Sequence, residues 1–368
     1  MQVLCIKCGL CGAIILSSPK LFVTLSEYRH ISKRVLSVIF DNLVQYVDME
    51  SIEIIKCHGS GNDFVMVDTT ALACADSVDW ALFARMASDR KGGIGSDGIL
   101  LVVCHEDGVY GMDMFNPDGT RAEMCGNGIR CVARLAIERG YISHKGILRS
   151  GGRDYVVQST DDIAEGVKCF MVDIPIRTWS SDFSFFADGE SFVGRKIEAL
   201  DAGLQFTALN LGNPHIVAAV EHIDMEQLAR LGAMVKDSAV GRELFPHGVN
   251  VSLYERRAHN SLFVATYERG AGITLSCGTA MTASGTAAAL LRLVEAGSRI
   301  EVCNRGGKVY CCTSIDNGGI VTRLEGNATF DWWGRASLRE GVFGYEVVRR
   351  TSEEAAWQNF VKSVVTDL

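Results

Sequence analysis

Apolar residues at Ile129, Val132, Ala133, Ala136 and Ile137 recur at helical spacing through IRCVARLAIERG, and Gly140 supplies a stop. The period predicts a helix. Just ahead of it, Phe115-Asn116-Pro117-Asp118-Gly119 is turn chemistry, because proline presets one backbone angle and Gly or Asn tolerates positive φ. Cys125, in AEMCGNG, therefore falls at a helix N-terminus. Unpaired N–H groups and the positive end of the helix dipole favour an anion there, either a thiolate or a bound carboxylate. Taken singly, Cys125 is read equally well as a small buried hydrophobe. A second helix of small residues is predicted over TASGTAAALLRLVEAG to Gly297, again opened by Cys-Gly at Cys277-Gly278. SIEIIKC reads as a strand, and the C-terminal EEAAWQNFVKSVVTDL as an amphipathic helix.

These elements recur as a degenerate duplication. YGMDMFNPDGTRAEMCGNG resembles LFVATYERGAGITLSCGTA: an extended segment leads to a polar residue (Asn116, Glu268), a Gly-containing loop follows, and Cys-Gly arrives nine residues after the polar residue. Upstream, HGSGNDFVMVD answers NLGNPHIVAAV, so that Asn62 precedes Cys125 by 63 residues and Asn213 precedes Cys277 by 64. Downstream, ILRSGGRDYVV answers IEVCNRGGKVYCC. The expected fold is α/β (α+β), with two pseudo-symmetric halves, each a curved mixed sheet or barrel around a central helix, and an active site in the cleft between them. Its expected organisation is an extension over 1–48, an N-terminal half over 49–175, a C-terminal half over 176–335 and a partly helical tail over 336–368. The extension, with a basic and mildly amphipathic later part, is unlike the rest, and translation is expected to start at Met49.

Composition narrows the chemistry. The chain has 368 residues, enough for two cores, and a net charge of −8 that gives nucleic-acid binding no electrostatic support. No apolar stretch approaches the ~18 residues that cross a bilayer. Thirteen cysteines, an odd number scattered through apolar segments, fit a reducing compartment better than a disulfide scaffold. Cys5, Cys8 and Cys11 lack a fourth ligand at suitable spacing, His58, His215 and His247 lack metal spacing, and no dinucleotide or phosphate-loop fingerprint is complete. Neither metal nor cofactor is expected.

A thiolate and a thiol on opposite faces of one carbon form a base and an acid that invert its configuration. The α-proton of an amino acid is far less acidic than a thiol, so the developing enolate charge needs stabilisation. Backbone N–H groups at Gly126-Asn127 and Gly278-Thr279 are placed to converge on one α-carboxylate.

In combination, HGSGNDF, GIGSDG, FNPDGTRAEMCGNGIRC, LGNPH, the Asn of HGVNVS, and YERGAG followed by CGT resemble the diaminopimelate epimerase family, from about Ile52 to Leu338. The resemblance implies a cofactor-independent cytoplasmic isomerase, interconverting LL- and meso-diaminopimelate on the route to lysine and peptidoglycan, and a homodimer. It implies Cys125 and Cys277 as the catalytic pair, with His215 close to them. It implies Asn116 and Glu268 near the α-ammonium, and Asn62, Asn213, Asn250 and Arg269 around the distal amino-acid end. Arg269 makes sense for a second carboxylate, which racemases of proline or histidine do not need. Two departures stand out. Gly98 replaces a Gln of some members, and Ala280 replaces a glycine beside the second cysteine. The open alternatives are a two-cysteine racemase of simpler amino acids and a non-catalytic binding protein on the same fold.

Overall fold

The computed structural model describes residues 49–73, 75–185, 190–339 and 341–366. The segment 1–48, with the readings of Cys5, Cys8, Cys11 and of Met49 as the start, lies outside the described residues. Six α-helices are described: α1 (Trp80–Ser88), α2 (Gly126–Glu138), α3 (Met225–Asp237), α4 (Ala239–Leu244), α5 (Gly278–Leu290) and α6 (Glu353–Thr366).

The duplication read from the sequence reappears strand by strand. In the first half, Met49–Gly59 is antiparallel to Asn62–Asp68, which runs parallel to Ile99–Cys104, itself antiparallel to Tyr110–Phe115. The last strand folds back on Arg121–Ala122, α2 follows, and Lys145–Ser150, Arg153–Ala164 and Val167–Ile176 complete the half. In the second half, Asp201–Asn210 is antiparallel to Pro214–Val220, which runs parallel to Asn250–Ala258, itself antiparallel to Ser261–Glu268. Gly272–Thr274 folds back, α5 follows, and Arg299–Asn304, Gly307–Asp316 and Gly319–Asn327 close the series. Every parallel step falls in the same place, and the mixed sheet follows from it.

Two connections tie the halves together. Val167–Ile176 and Gly319–Asn327, the last strands of the two series, pair antiparallel with Val172 opposite Leu324. The chain then crosses back, so that Thr329–Arg339 pairs with Met49–Gly59 and completes the sheet of the first half. Both central helices have 13 residues and are buried along nearly their whole length, as expected of helices wrapped by a curved sheet.

The helix ends show where local signals sufficed. Past α2, Gly140 adopts φ +74° and Tyr141 N donates to Ala136 O at 2.8 Å, the stop expected of a glycine. Helix α5 ends well before the predicted Gly297. Arg292 takes φ +58°, Leu293 N donates to Ala288 O at 2.8 Å, and Leu293 and Val294 turn back onto the core. Burial of those two side chains outweighs the helix-forming pattern.

The tail has the predicted helix and a strand, Val342–Arg350, before it. On α6, Trp357, Phe360 and Val364 pack with Val167 and Cys303. Glu353 grips the buried Arg134 of α2 with both oxygens, at 2.5 and 2.7 Å, and accepts from Phe330 N at 3.0 Å. A bidentate pair of this kind anchors the helix against the first half.

Candidate active site

Both cysteines are helix N-caps with nearly the same extended backbone, φ −139° and ψ 114° at Cys125, φ −133° and ψ 107° at Cys277. Glycine after each leaves the first turns open to close approach. A Cβ on Gly278 would lie 2.5 Å from Asn127 Oδ1, so the N-terminus of α5 sits directly against a side chain from the first turn of α2. The two helix starts meet. Each is braced by the asparagine of its own half: Asn127 Nδ2 donates to Asn62 Oδ1 at 3.4 Å, and Asn213 Nδ2 donates to Thr279 Oγ1 at 3.3 Å. Cys125 Sγ lies 3.6 Å from Asn62 Oδ1, and Cys277 Sγ lies 3.5 Å from Thr279 Oγ1.

Around Cys277 the bonds form a chain. An asparagine oxygen can only accept, so His215 Nε2, 3.0 Å from Asn213 Oδ1, carries the proton. Thr279 accepts from Asn213, and its hydroxyl lies 3.5 Å from the sulfur, where either group can donate. His215 thus reaches Cys277 through Asn213 and Thr279. Burial, and then the charge of Arg269, push the His215 pKa down to about 3, so the ring is neutral at working pH and orients donors without titrating. A folded-state pKa below the unfolded value of ~6.5 contributes stability above that value, lost as pH falls toward 3. His215→Gln, which keeps a donor for Asn213 but cannot titrate, should flatten that acid loss. The full term is roughly 4–5 kcal/mol, read from urea midpoints at successive pH values.

Glu268 accepts from Thr274 Oγ1 at 2.5 Å, and burial pushes its carboxyl up while bonds from Thr274 and Cys277 hold it back in part. Its counterpart Asn116 donates to Thr120 Oγ1 at 2.9 Å in the matching turn. Burial raises both thiols. Gly128 N, 3.4 Å from the sulfur, Asn127 N and the Arg130 charge oppose the rise at Cys125; at Cys277 the Glu268 carboxylate adds to the rise, and the Thr279 hydroxyl and Ala280 N oppose it.

The residues expected at the distal end divide. Asn250 is buried, donates to Pro214 O at 3.1 Å and accepts from Arg269 N at 2.8 Å, so its amide is engaged by main chain and sets the start of the Arg269 segment. Arg269 is exposed, with Nη1 held by His247 O at 2.7 Å. Asn62 donates to Asp97 Oδ2 at 2.8 Å, and Asp97 pairs with Arg90 at 2.8 Å. Asp97 escaped the sequence reading although it stands in GIGSDG. The neighbouring Gly98 has φ +153°, and a Cβ there would lie 2.5 Å from Phe115 O, so the fold leaves no room for a side chain where some members carry Gln.

Solved structures of 14–15% identity share the fold. A hydroxyproline epimerase from Agrobacterium vitis covers 79% of this chain and 92% of its own, with a TM-score of 0.54. A phenazine biosynthesis protein of the PhzF family from Bacillus anthracis covers 78% and 99%, with a TM-score of 0.56. The fold is that of the duplicated α/β class. Residues 54–167 and 207–330 match the diaminopimelate epimerase family profile. Relatives named diaminopimelate epimerase include one from Clostridium acetobutylicum, 36% identical over 78% of this chain and 86% of its own, and one from Lactiplantibacillus plantarum, 35% identical over 85% and 99%. The chain belongs to the diaminopimelate epimerase family.

Proposed function

We propose that this enzyme interconverts LL- and meso-2,6-diaminopimelate without a cofactor, Cys125 and Cys277 acting as base and acid on opposite faces of one α-carbon. The observation that carries this reading is the meeting of two cysteine-capped helix starts, with Asn127 packed on Gly278. One thiolate takes the α-proton, the bonding pair passes into the enolate of the α-carboxyl group, and the other thiol returns a proton from the far side. The negative charge thereby moves from one sulfur to the other. First-turn N–H groups at Gly126-Asn127 and Gly278-Thr279 favour the α-carboxylate and its developing charge, a term of several kcal/mol in comparable sites. Glu268 and Asn116 take the α-ammonium, while Arg269, Asn62 and Asn213 serve the distal end, with Asn250 supporting Arg269.

The expected product feeds lysine and peptidoglycan synthesis in the cytoplasm. A homodimer is supported by the outer strand Val342–Arg350, which presents Val342, Tyr345 and Val348 to solvent, and sedimentation tests it. The reaction itself is tested by α-proton exchange in heavy water with LL-diaminopimelate, proline and histidine side by side. Exchange with inversion is expected for diaminopimelate alone. Comparable turnover of proline would reassign the substrate.

A further inference from the structure

The two helices that present the cysteines are matched in length and capping but not in charge. Five residues after each cysteine, a side chain donates to the carbonyl of the residue next to that cysteine: Arg130 Nη1 to Gly126 O at 2.9 Å, and Thr282 Oγ1 to Gly278 O at 2.8 Å. The same place holds a cation in one half and a neutral hydroxyl in the other. Arg130 is fully buried, and its remaining partners are neutral too, Asn127 Oδ1 at 3.0 Å, Ser60 Oγ at 3.1 Å and Asn327 O at 3.2 Å. The ionisable groups that it feels are the thiols of Cys131, Cys169, Cys125 and Cys311. Guanidinium does not give up its proton in proteins, so this is a buried positive charge in want of an anion.

Nine residues before each cysteine the asymmetry is reversed. Asn116 is neutral, whereas Glu268 is an acid hydrogen-bonded toward Cys277. The bonds to the two sulfurs otherwise match, Gly128 N and Asn127 N at Cys125 against Ala280 N and the Thr279 hydroxyl at Cys277, so these two differences both favour negative charge at Cys125. We infer that Arg130 and Glu268 polarise the pair, so that in the substrate-free enzyme Cys125 ionises first and serves as the base while Cys277 keeps its proton and serves as the acid. Arg130 is a positioning residue in this scheme, acting through the thiol. The inference rests on the two-cysteine reading above.

The surrounding charges agree with it, apart from Cys131, which opposes a thiolate at Cys125. Cys125 faces Arg130 and Cys131, and Cys277 faces Glu268, which in turn faces Asp97; Arg269 bears on His215. Burial lifts both thiols, and Cys277 well above its ordinary value. In turnover the carbon's proton passes to Cys125, and the Cys277 proton passes to the carbon. The reversed pair is then competent for the product stereoisomer, or returns to rest by exchanging protons with water.

The test is alkylation by iodoacetamide at successive pH values, resolved by peptide mass spectrometry. The pH of half-limiting rate separates ionisation from accessibility. In the wild-type enzyme Cys125 should reach half its limiting rate at lower pH than Cys277. Arg130→Lys should preserve that order. Arg130→Met should move the Cys125 profile, and the rising limb of kcat/KM, to higher pH, while Glu268→Gln should move the Cys277 profile to lower pH. Wild-type enzyme in which Cys277 ionises first overturns the inference, and this needs no variant to fold. So does a folded Arg130→Met enzyme with an unmoved Cys125 profile. Failure of the two-cysteine reading itself would show differently, as full epimerisation after loss of either thiol.

Discussion

Cys277→Ala is expected to lower epimerisation by at least about a thousandfold while leaving the fold intact, and Cys125→Ala to do the same. Each thiol serves one face of the carbon, and methyl can neither take nor give a proton. Both residues sit at extended N-cap positions that alanine can adopt, so loss of activity should not mean loss of structure, which circular dichroism checks. Either variant retains one sulfur. That sulfur can remove a proton and return it to the same face, giving deuterium incorporation from one stereoisomer with its configuration kept. Near-normal inversion in either variant would end the two-base account.

Arg269→Met is expected to reduce kcat/KM for diaminopimelate about a hundredfold, since two charge-assisted hydrogen bonds to a distal carboxylate are lost. Arg269→Lys should recover only part of it, because an ammonium keeps the charge without the planar fork. The backbone N–H of Arg269 is tied to buried Asn250 and Nη1 to His247 O, so the guanidinium is already steered toward one direction before substrate arrives. α-Proton exchange at saturating substrate should largely survive, as the cysteines are untouched. An unchanged kcat/KM in the methionine variant would remove Arg269 from the distal end and reopen the choice of substrate.

The two helix caps of the candidate site are a local matter and were legible for that reason. A turn, a cysteine and a glycine before a helical period specify an N-cap within a few residues, and the duplication placed a second such cap without any knowledge of contacts. The end of α5 was not legible. Its pattern runs helically to Gly297, but Leu293 and Val294 are claimed by the core, and a packing term that depends on distant strands outweighed the local one.

What the sequence determined by itself is therefore the repeated order of elements, the two capping cysteines and the family to which they belong. What only the tertiary structure decided is which polar groups are spent and which are left to act. Asn250 and Asn213 look alike in sequence, yet one amide is engaged by Pro214 and Arg269 main chain while the other links His215 to Thr279 beside Cys277. Arg130 and Arg134 are four residues apart on one helix, a spacing that would ordinarily mark a solvated face. Arg134 instead meets Glu353 across 219 residues of chain, and Arg130 meets the Asn327 carbonyl across 197. Backbone periodicity is fixed by near neighbours, whereas burial and partnership of a charge depend on segments brought together from far along the chain, and at Arg130 that difference separates a surface residue from a fully buried cation bonded beside Cys125.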